Sequence, residues 1–284
     1  MNNLVVKHNA LTNASYNLDL VEQRLILLAI VDARRSGQGV TANNPLTITA
    51  SDYAQQFNTT RQASYLALKN ACENLFNRYF KYAEGSKNIK SRWVSQIAYI
   101  DAAAQVELIF SPAIVPLITE LERHFTQYAI EQIAGLNSAY AVRLYELLIS
   151  WRGTQNTGLI ELAELRKRLG VEPDEYQKMS DFKRRVLDLA VSQINEHTDI
   201  TASYEQHKAG RVIIGFSFTF KLKKPEKIEK KKAAAEKPND SDTEKREALS
   251  QFVGYQQRAK LLNEPIEKLA SKKELAQFKK FEFM

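Results

Sequence analysis

Two stretches of the chain concentrate side chains suited to hydrogen bonding with nucleic acid. One begins Thr59-Thr60-Arg61-Gln62 and continues with Ser64, Lys69, Asn70 and Asn74; the other holds Lys178, Lys183, Arg184 and Arg185. A cationic segment follows each of them. Arg78, Lys81, Lys87, Lys90 and Arg92 come after the first, with no acid between Glu84 and Asp101, and His207, Lys208 and Arg211 come after the second. Arg suits guanine edges, the amides of Gln and Asn suit adenine, and Lys is the usual phosphate partner. With Phe182, Val186, Leu189 and Ala190 turned inward on a helix, Arg184 points nearly opposite, Arg185 flanks it and Lys183 sits at the side. Gln62, Asn70 and Arg184 are therefore expected at base edges, and the lysines of the following segments at phosphates. For any single cation the alternative is an ordinary solvated face; the same placement in two units makes coincidence a poorer account.

Other chemistry finds no support. His8, His124, His197 and His207 lie far apart, and none has metal-ligand spacing with Cys72. Cys72 itself falls on the inward face of a helix. Gly153 to Gly158 has the glycine spacing of a phosphate-binding loop, but Leu159 stands where that loop needs Lys. Tyr16, Tyr65, Tyr140 and Tyr145 read as core or interface aromatics, and no His-x-His cluster accompanies them. No enzymatic activity, metal or cofactor is expected.

The elements that must position these residues recur. Leu18, Val21, Leu25 and Leu28 mark a first helix ending at the polar run 34–39. A short strand at Leu46–Thr49 leads, past a Ser51-Asp52 cap, to a helix with Tyr53 and Phe57 inward. The next helix carries Tyr65, Leu68, Cys72 and Leu75 and ends near Arg78. A hairpin then spans Trp93–Ile100 and Val106–Phe110. The same order returns from Leu136. A helix to Trp151 turns Tyr140, Leu144, Leu147, Leu148 and Trp151 inward. Strand Leu159-Ile160 and a helix ended by Gly170 follow, then a helix with Phe182, Val186, Leu189, Ala190 and Ile194. The second hairpin spans Ile200–Tyr204 and Arg211–Phe220, its second strand alternating Val212, Ile214, Phe216, Phe218 and Phe220. Tyr53 and Phe57 correspond to Leu165 and Leu169, and Leu68 and Cys72 to Val186 and Ala190. Two short helices and a hairpin describe a winged helix-turn-helix, whose second helix enters the major groove while the hairpin wing reaches the backbone. The expected fold is α+β: two tandem winged-helix domains forming a pseudo-repeat, at 1–124 and 125–222, followed by a charged C-terminal linker and tail at 223–284.

At 284 residues the chain has room for about two domains, and its 44% hydrophobic and 26% charged residues suit folded domains. The net charge of +7 permits nucleic-acid binding without demanding it. The longest apolar run, Leu25–Val31, is seven residues, far below a membrane span, and no signal peptide is evident. A single cysteine fits a cytoplasmic location. Residues 248–284 read as a tail that becomes helical on binding.

Asn9-Ala10-Leu11, Ala14-Ser15-Tyr16 and Glu22-Gln23-Arg24-Leu25 resemble the opening of the RepB/RepE-type plasmid replication initiators. Phe125-Thr126-Gln127-Tyr128 and Leu136 to Leu148 are similar to the signature that opens their second winged helix, and Leu75-Phe76-Asn77-Arg78 resembles the end of their first recognition helix. The resemblance covers residues 1 to about 222. It implies double-stranded DNA as partner, bound at directly repeated iterons of a plasmid origin, with duplex opening and recruitment of the host initiator and replicative helicase. It also implies an initiating monomer in equilibrium with a homodimer that represses its own promoter at an inverted repeat. Two non-identical reading heads in one chain independently suit an asymmetric site repeated head to tail and covering about two turns of DNA. A tandem winged-helix transcription regulator and a winged-helix protein-interaction module are the competing readings.

Overall fold

The computed structural model describes residues 3–119 and 124–223, with scattered positions between 265 and 279. The chain divides into two units after Lys224. The expected tail therefore lies almost wholly outside the described residues.

Strand β1 (Leu4–His8) and the short helix α1 (Asn9–Thr12) precede α2 (Leu20–Ser36). A reciprocal cap fixes where α2 starts: the Asp19 carboxylate accepts from the Glu22 N–H, and the Glu22 carboxylate accepts from the Asp19 N–H. Gly37, left-handed at φ 73°, closes it. Next come β2 (Leu46–Thr49), α3 (Ala50–Phe57) and α4 (Arg61–Asn77), and then β3 (Tyr79–Glu84), β4 (Lys87–Arg92), β5 (Val94–Ile100) and β6 (Gln105–Phe110). Helix α5 (Val115–Thr119), strand β7 (Phe125–Ala129) and α6 (Glu131–Ala134) lead to the second set. That set comprises α7 (Ala139–Ile149), β8 (Asn156–Glu161), α8 (Leu162–Leu169), α9 (Met179–Phe182), a π-helical stretch at Lys183–Asp188, α10 (Leu189–His197), β9 (Ile200–Ala209) and β10 (Val212–Leu222).

The duplication expected from apolar spacing is present in the topology. Both sets build a three-stranded antiparallel sheet in which the first strand pairs with the last: β2-β6-β5 and β8-β10-β9. Moving α3 forward by 112 positions lands on α8 at both ends, and each helix closes on a left-handed residue, Asn58 or Gly170. Tyr53, Phe57, Leu165 and Leu169 are all buried, as are Leu68, Cys72, Val186 and Ala190. This is the winged-helix pair.

Several local expectations need correction. The cap of α3 is Thr49, whose hydroxyl accepts from the Asp52 N–H, and Ser51 and Asp52 lie within the helix. Helix α7 is shorter than 136–151, and Trp151, beyond its end, is 38% exposed. The alternation of β10 breaks at a bulge between Ile213 and Gly215, so Phe216, Phe218 and Phe220 are buried while Val212 and Ile214 are exposed. The second hairpin is also longer than expected, with His207 and Lys208 inside β9 and only Gly210 and Arg211 in the turn. The largest departure is in the first unit. Lys81, Lys87, Lys90 and Arg92 lie on a separate two-stranded hairpin, β3–β4, inserted before the β5–β6 wing. Phe80, fully buried against Trp93 at 5.0 Å between ring centroids, anchors that hairpin, and Ser15 and Lys81 exchange backbone hydrogen bonds of 2.9 Å beside it.

The two winged helices share buried polar ties. Strand β1 pairs antiparallel with β7, and the Lys7 ammonium, 1% exposed, lies 2.5 Å from the Glu146 carboxylate of α7. Tyr128 donates to the same carboxylate at 2.6 Å. Arg143, also on α7, donates to the Ala14 carbonyl (2.9 Å), to the Arg168 carbonyl that ends α8 (2.6 Å) and to the Tyr16 hydroxyl. On the other side, Arg24 of α2 donates to the carbonyls of Ala134 and Leu136 at 3.1 and 2.9 Å. Gly170 packs so closely that a Cβ there would lie 2.4 Å from the Tyr16 carbonyl oxygen. Segment 14–17 is thereby pressed against the end of α8.

Candidate nucleic-acid interface

Thr60 caps α4, its hydroxyl accepting from the Ala63 N–H at 3.3 Å. Ser64, Leu68, Ala71, Cys72 and Leu75 form the buried stripe of this helix. Cys72 is fully buried, and that burial pushes its thiol up to about 12, which suits a packing role. The stripe leaves Gln62, Leu66, Asn70, Glu73 and Asn77 facing outward, all exposed. Arg61 is exposed in the first turn.

Three of the expected cations in this unit have protein partners. Lys69 donates to Asp101 at 2.9 Å, at the turn joining β5 to β6, and Tyr65 donates to the same carboxylate. The hydrogen bonds from Tyr65 and Lys69 hold the Asp101 carboxyl below its ordinary value. Arg78 donates to the buried Glu22 carboxylate at 3.2 Å. Arg92 donates to the Phe76 carbonyl in the last turn of α4 at 2.5 Å, tying the inserted hairpin to that helix. Lys87 is exposed beside the hairpin turn, and the Lys90 ammonium lies 3.7 Å from the Tyr79 ring centroid. A cleft of about 840 Å³ opens between this hairpin and the end of α8, lined among others by Asn77, Arg78, Lys81, Lys90 and Lys167.

In the second unit the recognition element is α9, the π stretch and α10 in continuous succession. Phe182, Val186, Leu187, Ala190 and Ile194 are buried. The side chains of Arg184 and Arg185 are 70% and 62% exposed, with Asp181 3.1 and 4.0 Å away. Leu189, expected inward, is 43% exposed because the π stretch changes the helix phase ahead of it. Lys178 is exposed just before α9. Lys183 leans sideways and donates to Gln206 of β9 at 3.2 Å, bracing helix against wing. His207 Nε2 and the Ser217 hydroxyl are 2.7 Å apart, so the His207 ring lies across the sheet. Lys208 and Arg211 are exposed at the wing end.

The structure leaves Lys178, Arg184 and Arg185 exposed on or just before the helix of the second unit and Lys208 and Arg211 exposed at the end of its wing, while Thr60, Arg61, Gln62 and Asn70 are exposed at or on α4. Lys69, Arg78, Arg92, Lys183 and His207 serve at least partly to hold elements together. Sequence reasoning missed Leu66, although it lies four residues from both Gln62 and Asn70. It also missed the π stretch and the inserted hairpin. Among the described residues, no group of three or more His, Cys, Asp or Glu is placed to hold a metal ion, and no helix is long and apolar enough to cross a membrane.

Two winged helices, each turning a polar helix face to solvent beside a β-wing, define a tandem winged-helix DNA-binding protein. Family models agree: "Initiator Replication protein, WH1" matches residues 4–149 and "Initiator Rep protein, WH2" matches 161–220. The chain belongs to this family of plasmid replication initiators. A replication initiation protein of Escherichia coli is 25% identical over 210 residues, covering 70% of this chain and 65% of its own length. An uncharacterized 27.6 kDa protein of Escherichia coli is 25% identical over 223 residues, covering 74% of this chain and 92% of its own. The Pi initiator protein, crystallised in complex with iteron DNA, has a similar fold, with a TM-score of 0.65 and 22% identity over 78% of this chain and 98% of its own.

Proposed function

We propose that the chain initiates plasmid replication by binding iteron DNA as a non-enzymatic, sequence-specific origin binder. Its heads, assigned to 1–124 and 125–222, enter successive major grooves about 34 Å apart. The observation that carries this reading is the orientation of the second recognition helix, whose Arg184 is 70% exposed opposite the fully buried Phe182 and Val186. Arg184, Gln62 and Asn70 contact base edges. Arg61, Lys178, Arg185, Lys208 and Arg211 add charge along the backbone, and Lys81, Lys87 and Lys90 bring cations to the stretch between the heads. The similar fold of a protein crystallised on iteron DNA supports the same reading.

The remaining expectations belong to the same proposal. The monomer initiates, a homodimer represses the promoter at an inverted repeat, and bound protomers recruit the host initiator and replicative helicase in the cytoplasm. Footprinting on DNA flanking the coding gene tests the core of it: protection of direct repeats, each about two helical turns long, is expected. Affinity should fall with salt at a log–log slope of about −0.9 per phosphate contact. A flat salt dependence with no protected repeat would replace the proposal with a protein-interaction module. A specific site that supports no replication would leave a transcription regulator.

A further inference from the structure

The two reading helices present different chemistry. Arg184 and Arg185 dominate the second. The outward line of α4 instead reads Gln62, Leu66 and Asn70 at four-residue intervals, and its neighbours Lys69 and Glu73 are engaged by Asp101 and Tyr99. Leu66 is 60% exposed, the most exposed large apolar side chain on any described helix, against 43% for Leu189. A scattered surface leucine would need no explanation, but this one sits between two amides on the face that enters the groove. From Gln62 to Asn70 the helix rises about 12 Å, the length of three to four base pairs.

Resting on the DNA-binding reading above, we infer that Leu66 is a specificity-determining residue: it packs on a thymine 5-methyl group while Gln62 and Asn70 read adenine, making α4 a reader of A·T pairs. In the major groove every A·T pair presents an amide-matching edge on adenine and a methyl on its partner. A leucine flanked by two amides complements that combination, and it complements neither edge of a G·C pair. The two helices would therefore divide the site, with α4 on an A·T-containing half and the arginines of the second helix on guanine. No pairing between identical halves would be needed to orient the protein.

The test uses the full chain. A preferred duplex is selected from random DNA, and each thymine is then replaced singly by uracil, which removes only the 5-methyl. At one thymine the wild-type chain should lose about fourfold in affinity, the worth of one buried methyl group at ~0.8 kcal/mol. Leu66→Ala should bind the thymine and uracil duplexes equally well, and Gln62→Ala or Asn70→Ala should relax base preference within about four pairs of that position. Leu66 is exposed, so its truncation leaves the core intact, and an unchanged circular dichroism melt checks this. Uracil without effect anywhere, or undiminished discrimination in Leu66→Ala, overturns the inference while sequence-specific binding stands. Failure of selection to yield any preferred duplex overturns both.

Discussion

The proposed base-reading role of Arg184, whose side chain is 70% exposed, is tested by its truncation. Arg184→Ala should cost about 1–3 kcal/mol on the specific site and relax preference at one base pair, measured by titration against single-base variants. Equal losses on specific and random DNA would make it a phosphate contact. A second prediction concerns the interior. Burial alone would raise the Glu146 carboxyl, but Lys7 and Arg143 outweigh it and hold the group below its ordinary value. The stability this contributes is present above the ordinary carboxylate pKa and is lost as pH falls through the lowered value. Glu146→Gln leaves two buried cations uncompensated and should cost about 3–5 kcal/mol in urea unfolding at pH 7, with a smaller further loss on acidification. The exposed cations could be found from sequence because residue type and helical period are local. Their commitments could not: Lys69 meets Asp101 32 residues away and Arg78 meets Glu22 56 away, distances at which no local pattern carries information.

The helices and the second hairpin were readable because strong apolar periods mark them. Their ends were displaced where one hydroxyl or one bulge decides, as at Thr49 and near Gly215. The inserted hairpin escaped notice because only Phe80 of its β3 residues is buried, which leaves no alternation to see. Gly215 shows how closely β8 and β10 approach, since a Cβ there would lie 2.2 Å from the Ile160 carbonyl oxygen. Gly215→Ala must push backbone apart, and a loss of about 1–3 kcal/mol in thermal or urea unfolding is expected. The wing itself is tested by Lys208→Ala. Affinity for specific and random DNA should fall alike, and the salt slope should shrink by about one contact. A loss confined to the specific site would show that Lys208 reads sequence.

Arg143, Arg24 and the Lys7–Glu146 pair join the two winged helices, so in the proposed reading the span between the grooves is set by the protein. Inserting about five base pairs, half a helical turn, or about ten between the two protected halves should reduce specific binding to at most one head's contribution. Retained affinity with the five-pair insert would mean that the heads move independently. The interlock between Gly170 and Tyr16 carries this one step further. Heads that bind as one body respond to the torsional state of their target, because over- or underwinding a closed circle rotates one groove relative to the other. Occupancy on supercoiled and relaxed circles of identical sequence should therefore diverge, which would make the protein a gauge of how tightly its own replicon is wound.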